Sequence, residues 1–235
     1  MKIFILNKKN FYTYVMIIFI IILILIYIFF YNKVDETFNL DIYYKGNVDD
    51  RIVAFACNVD WGDEYIPTML EIFKEKNINI TFFVTGKWAA KNPELLIKIY
   101  EQGHEIGNHG YRHIDYDKLS YEENKEEIIK AHNTIREIIK SKPKYFAPPS
   151  GAYNDNTIKA AKDLNYDIIM WSIDTIDWHK DSNKQKIIER VTNKIHNSAI
   201  ILIHPTEETI KALPDIINFL YSKGYRIGKV RDVIE

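Results

Sequence analysis

RIVAFACNVDWGDEYIPTMLEIFKEK, residues 51–76, decides the fold. Residues 51–58 form a short apolar run with the length and composition of a buried strand. Residues 64–76 then place Ile66, Met69, Leu70 and Phe73 at helical spacing, which makes one βα unit. The pattern repeats outward from there. Residues 80–84 are β-branched and aromatic, and Pro93 opens a helix carrying Leu95, Leu96 and Ile99, which Gly103 stops. Residues 104–107 are a third strand candidate, and Ser120 with Glu123 forms a capping box for a long helix reaching about Lys140. Further strands are expected at 144–147, 167–171, 199–203 and 226–229. Helices near 155–164, 185–196 and 207–223 separate them, the second opened by Ser182 and Gln185. Regular alternation predicts parallel strands wrapped by helices. Seven strand candidates, with no GxGxxG after the first, favour an α/β barrel over an open doubly wound sheet.

Composition narrows the class. In 235 residues, 31 basic side chains meet 32 acidic ones, a net charge of −1, so nothing drives binding to a polyphosphate backbone and no nucleic-acid partner is expected. One cysteine, Cys57, excludes an internal disulfide and reads as a small strand hydrophobe. Hydrophobicity is concentrated at residues 11–31, which carry no charge and as a helix would be about 31 Å long, enough for one bilayer crossing. Lys2, Lys8 and Lys9 precede that run, and Asp35 and Glu36 follow Lys33, so the positive-inside rule predicts a cytoplasmic N-terminus. The expected organisation is a cytoplasmic segment at 1–10, an anchor at 11–31, a polar linker at 32–50 and a domain at 51–235 outside the cell membrane. A cleaved signal peptide is the competing reading. The run exceeds a signal core and lacks a small-x-small site after it.

Polar side chains fall where the strands should end. Asn58 and Asp60 close the first, His109 and His113 follow the third, Pro148–Gly151 the fourth, Asp174 and Asp177 the fifth, and His204 the sixth. In a parallel barrel those ends converge on one mouth. His109 and His113, four apart in NHGYRH, can reach one cation, and Asp60 would complete three protein ligands with a position open for water. Such a site is hydrolytic: the cation acidifies the water and polarises a carbonyl. Two histidines and a carboxylate suit zinc first, with cobalt, nickel and manganese open.

With these motifs in place, the chain resembles the polysaccharide deacetylases of carbohydrate esterase family 4, the NodB homology domain, and among them sporulation-type peptidoglycan deacetylase-like proteins. GHEIGNHGYRH is similar to the family's second motif, FAPPSG to part of the third, WSIDTIDW to the fourth and ILIHP to the fifth, while FACNVDWGDE stands in the place of the first. The resemblance runs from about Ile52 to Val233. It implies a distorted parallel (β/α) barrel, one divalent cation on Asp60, His109 and His113, and hydrolysis of N-acetyl groups from an envelope glycan, with peptidoglycan first.

The resemblance also implies roles. His204 would protonate the leaving amine, with Asp174 orienting it and Asp177 and Trp178 shaping the floor. A backbone N–H near Ser150 would hold the oxyanion, Pro149 and Ser150 would contact substrate, Leu202 would line the acetate pocket, and Trp171 would wall a sugar groove. Two departures stand out. The general base of the first motif falls on Asn58, and the arginine that pairs with it falls on Ala147. An amide cannot take the proton, so either the metal alone activates water or Asp63 or Glu64 reaches in. A glycan-binding pseudoenzyme is the alternative this substitution raises. An amidohydrolase of small amides is a third reading, which the anchor disfavours.

Overall fold

The computed structural model describes residues 8–34, 42–48 and 50–235. The chain forms two units, residues 1–39 and 40–235. The first contains α1 (Lys8–Val34), whose described side chains, Phe11, Tyr12 and those of residues 14–27, are all exposed. Among the described residues no helix is long and apolar enough to cross a membrane, and the crossing expected over 11–31 includes side chains outside them.

The second unit runs β1 (Ile42–Tyr43), β2 (Ile52–Val59), α2 (Ile66–Glu75), β3 (Thr81–Val84), α3 (Gly86–Lys91), α4 (Pro93–Glu101), β4 (Glu105–Asn108), α5 (Tyr121–Ile139), β5 (Tyr145–Phe146) and α6 (Asp155–Asp163). It continues through β6 (Asp167–Ile169), β7 (Ile173–Asp174), α7 (Lys184–Thr192), β8 (Ile200–Ile203), α8 (Glu207–Ser222), β9 (Arg226–Gly228) and α9 (Arg231–Ile234). The strands pair in parallel in the order β1-β6-β5-β4-β3-β2-β8-β7, with β9 added on β2. β6 and β7 are pieces of one run broken at 170–172; β6 is bonded to β5 and β7 to β8, so the sheet curls round into a distorted half-barrel.

Alternation along the strands sets what faces inward. Val53, Phe55, Cys57 and Val59 of β2 join Ile201 and Ile203 of β8 in the layer packed under the helices. Ile52, Ala54 and Ala56 point the other way with Phe83, Tyr145, Ala147 and Ile200, filling the narrow interior. Small residues are needed there: a Cβ on Gly107 would lie 2.3 Å from the Phe83 ring. The same two-residue period carries Asn58 and Leu202 onto the inner face, and Cys57 faces the helix layer, a packing position in which burial pushes its thiol pKa up.

The expected elements form with ends shifted by one or two residues, except α7, which ends four residues before the expected 196, and the Ser120–Glu123 capping box closes in both directions. Besides single 3-10 turns, four short elements add to them, one of them the closing helix α9. β1 lies in the stretch expected as linker and pairs with β6; α3, capped by Thr85 accepting from the Trp88 N–H, precedes α4; β7 follows the break after β6. At α7 the expected Ser182 cap gives way to Asn183, whose side chain accepts the Lys186 N–H, while the Ser182 hydroxyl accepts from Arg190.

Candidate active site

The inner-facing strand ends open into a cavity of about 580 Å³. Asn58, His113, Ser150, Trp171, Asp174, Leu202 and His204 line it, together with Trp61 and Trp178. Asp60, His109 and Pro149 are not on its wall, and Pro149 is fully packed at the start of a short 3-10 turn, Pro149–Gly151. Trp61, which no expected role covered, lies parallel to the His204 ring with centroids 6.1 Å apart. The only signal for it in the sequence was its position just after the strand-ending Asp60.

One side of the cavity is built around His204. Its Nδ1 lies 2.7 Å from Asp177 Oδ1, and its backbone N–H donates to Asp177 Oδ2 at 2.7 Å. Thr209 adds an O–H to the same oxygen at 2.6 Å. The carboxylate that orients His204 is therefore Asp177, whose side chain is fully buried. Asp174, expected in that role, turns back to accept the Ile176 N–H at 2.7 Å. The reason is local. Thr175 is tied to the Leu202 carbonyl through its hydroxyl, and Ile176, a β-branched residue, is held at φ 50°, which swings Asp177 rather than Asp174 under His204. Arg190 fixes this strained corner by donating to the Thr175 and Ile176 carbonyls. The pair leaves His204 Nε2 as the atom that can hold or deliver a proton.

Another side is built on the loop after β4. His109 is buried, its Nδ1 lies 2.7 Å from the Ala147 carbonyl, and its Nε2 is buried without a partner. Burial first, and then the nearby His113, push its pKa down to about 3, so the ring is neutral, with Nδ1 donating to Ala147 and a lone pair at Nε2. The His113 ring stands edge-on at 5.3 Å. The loop between them is clamped: Asn108 accepts the Gly110 N–H, and Glu127 binds the Arg112 backbone N–H at 2.9 Å and its Nε at 2.8 Å. Gly110, at φ 74°, is obligatory, since a Cβ there would lie 1.9 Å from the Tyr116 hydroxyl.

The orphaned His109 Nε2 and the adjoining His113 ring fit a cation that takes imidazole nitrogen. The third expected ligand is not gathered with them. Asp60 Oδ1 accepts the Thr85 hydroxyl at 2.7 Å, and among the described residues no three His, Cys, Asp or Glu side chains are grouped to hold a metal.

The remaining wall carries no charge. Asn58 is 5% exposed and its Oδ1 is buried without a partner. Ala147 is packed in the barrel interior. Ser150, at φ 57°, projects into the cavity from the turn after Ala147. Gly151 passes under Trp171, leaving 2.9 Å between a Cβ placed there and the indole edge.

The polysaccharide deacetylase family model matches residues 45–169, more than half of the chain. The chain belongs to the polysaccharide deacetylase family. Among relatives of this deacetylase-family domain is the protein YlxY of Bacillus subtilis, named as uncharacterized, 42% identical over 192 residues, 82% of this chain and 60% of that protein. A peptidoglycan-N-acetylglucosamine deacetylase of Bacillus cereus is 34% identical over 168 residues, 69% of this chain and 61% of the relative. The chain thus spans about three fifths of the length of these two relatives. The crystal structure of BA3943 from Bacillus anthracis, described as a carbohydrate esterase family 4 pseudoenzyme, superposes with a TM-score of 0.82 at 36% identity, covering 85% of this chain and 71% of that one. A mutant of BA3943 described as having restored enzymatic activity superposes equally well.

Proposed function

We propose that the domain binds N-acetylated sugars of peptidoglycan in this cavity and deacetylates them slowly, with the water activated without a carboxylate base. The observation that carries the reading is the His204–Asp177–Thr209 arrangement, a complete proton-delivering unit at the wall of a cavity flanked by tryptophans. A sugar ring stacked on Trp171 or Trp178 would bring its acetamide against Leu202. A backbone N–H near Ser150 would meet the developing oxyanion. With the attacking water's proton released to solvent, the C–N bond would break as His204 gives its proton to the departing amine, Asp177 stabilising the charged ring beforehand. His109 and His113 would hold a divalent cation, zinc first, with Asp60 joining through the carboxylate oxygen that Thr85 does not engage; when bound, the cation would polarise the acetyl carbonyl and acidify water. Asn58 would donate or accept a hydrogen bond but hold no proton. The peptidoglycan substrate is supported by the names of the deacetylase relatives.

A second reading, glycan binding without turnover, is favoured by the paired Asn58 and Ala147 and by the likeness to a pseudoenzyme. Acetate release from peptidoglycan by the zinc-loaded chain, beside His204→Ala, separates the two. Release that depends on His204 supports slow hydrolysis, and retention on peptidoglycan without release supports binding alone. We further propose that residues 11–31 anchor the chain in the cell membrane with residues 1–10 cytoplasmic and the domain outside, where peptidoglycan lies; protease accessibility of the domain on intact cells tests it.

A further inference from the structure

The rim at the other end of the strands is as organised as the mouth. His104 immediately precedes β4, and Lys144 precedes β5. Lys229 and Arg231 follow β9, which pairs with the first residues of β2, and the Val230 N–H between them donates to Thr81 Oγ1 at the start of β3. His104 and Lys144 stand at the amino ends of β4 and β5, and Lys229 and Arg231, though they follow β9, are held beside the start of β3 by that bond, away from the mouth that holds His204.

Two cavities open there, of about 530 Å³ and about 610 Å³. Both are lined by Lys142 and Lys144, so they adjoin across this pair. The first adds Lys229 and Arg231, the second Arg136. The local carboxylates are already engaged: Glu105 takes Arg231 at 2.5 Å and the Thr81 hydroxyl at 2.7 Å, and Lys144 is paired with Glu235. Glu101 stands at the edge of the first cavity. Lys142, half-buried Lys229 and Arg136 make no ion pair among the described residues. The second pointer to a ligand is His104. Its ring is 4% exposed and lines the first cavity, and its Nδ1 accepts the Ile80 N–H at 3.1 Å. The ring hydrogen must then sit on Nε2, where no acceptor is found among the described residues.

We propose that this double cavity binds a polyol-phosphate chain, with one phosphate held by Lys142, Lys229 and the His104 Nε2–H and a neighbouring phosphate held by Arg136. Unpaired cations, a buried donor and aliphatic walls of Ile106, Ile139 and Leu164 suit an anionic chain whose short carbon backbone can lay its C–H faces against them. Nucleic acid fits less well. The second cavity presents no stacking face, since Tyr166 is 2% exposed and its hydroxyl is held by His132 and Asn108, and the whole chain carries a net charge of −1. The site stands independently of the deacetylase reading, because its test measures binding and not acetate.

The test is titration of the full chain in detergent with a synthetic glycerol-phosphate oligomer of about ten units at low and physiological salt. Binding that salt weakens is expected. Lys142→Glu, which touches both cavities, should weaken it by ~tenfold or more, while Lys229→Gln and Arg136→Gln should each weaken it by about threefold. Lys211→Glu, on the exposed side of α8 among Glu207 and Glu208, should leave it unchanged. Circular dichroism of each variant confirms folding. Absence of binding, indifference to Lys142→Glu, an equal loss with Lys211→Glu, or equally tight binding of oligothymidylate would each overturn the proposal.

Discussion

On the β8 side of the mouth His204 is held by a buried carboxylate that also accepts a hydroxyl and a backbone N–H, so every oxygen of Asp177 is used. On the β2 side Asn58 presents an amide oxygen that is buried and unused, and Ala147 offers no charge to meet one. The two walls come from the same curled sheet and share one cavity, yet only one is equipped for proton transfer. An ionised residue at position 58 would be a buried charge with its usual cation missing, and losing both members together leaves no such orphan. On the proposed reading, the group that would deliver a proton and the group that would take one are separable. The scaffold that aims His204 does not depend on the group at position 58.

The largest effect expected on that contrast is at the orienting carboxylate. Asp177→Asn should lower the rate of acetate release by about 10²–10⁴-fold, because the amide can present the wrong group to Nδ1 and can no longer stabilise a charged ring. Asp174→Asn, by comparison, should stay within about threefold, since that carboxylate serves the Ile176 N–H. Equal losses in the two variants would break the assignment of Asp177. Both are measured on the same peptidoglycan with matched zinc.

A smaller effect is expected at the clamp that holds the histidine loop. Glu127→Gln removes the charge that binds Arg112 twice and should lower the unfolding free energy by about 1–3 kcal/mol. Zinc affinity should fall with it, because the loop between His109 and His113 loosens, and calorimetric titration reads this directly. An unchanged affinity would show that the loop is set by Gly110 and Asn108 alone.

Smaller still is the expected pH response. Burial and the charge of Lys229 push the His104 pKa down from 6.5 to about 4. Between these values the unfolded chain binds the proton and the folded chain does not, so stability is fully present above about 6.5 and is lost as pH falls towards 4. His104→Gln should flatten that part of a Tm-against-pH curve. An unaltered slope would place the response elsewhere, on His109 first.

The fold was legible because long-range order follows from local period: the apolar run at 51–58, the helical spacing after it and their repetition point to parallel strands wrapped by helices, with a barrel favoured over an open sheet. Of the shortest elements β5 was legible, but β1, β7 and α3 were not. β1 and β7 are strands only through their neighbours, and α3 rests on a cap at Thr85 that resembles any loop threonine. In the site, His204, Leu202 and Asn58 could be found from alternation along their strands. The choice between Asp174 and Asp177 could not, since it turns on a left-handed Ile176 stabilised by Arg190 from a different helix. The hydrogen bond from Thr85 to Asp60 had no sequence signal either.

The most direct test of the central claim, that proton delivery is intact and the base is missing, is acetate release from peptidoglycan by the zinc-loaded chain beside Asn58→Asp, with His204→Ala in both backgrounds. The account predicts slow release by the unaltered chain, a rise of about 10²–10⁴-fold on installing the carboxylate, and loss of both activities without His204. No release from the unaltered chain and no gain from Asn58→Asp would contradict it.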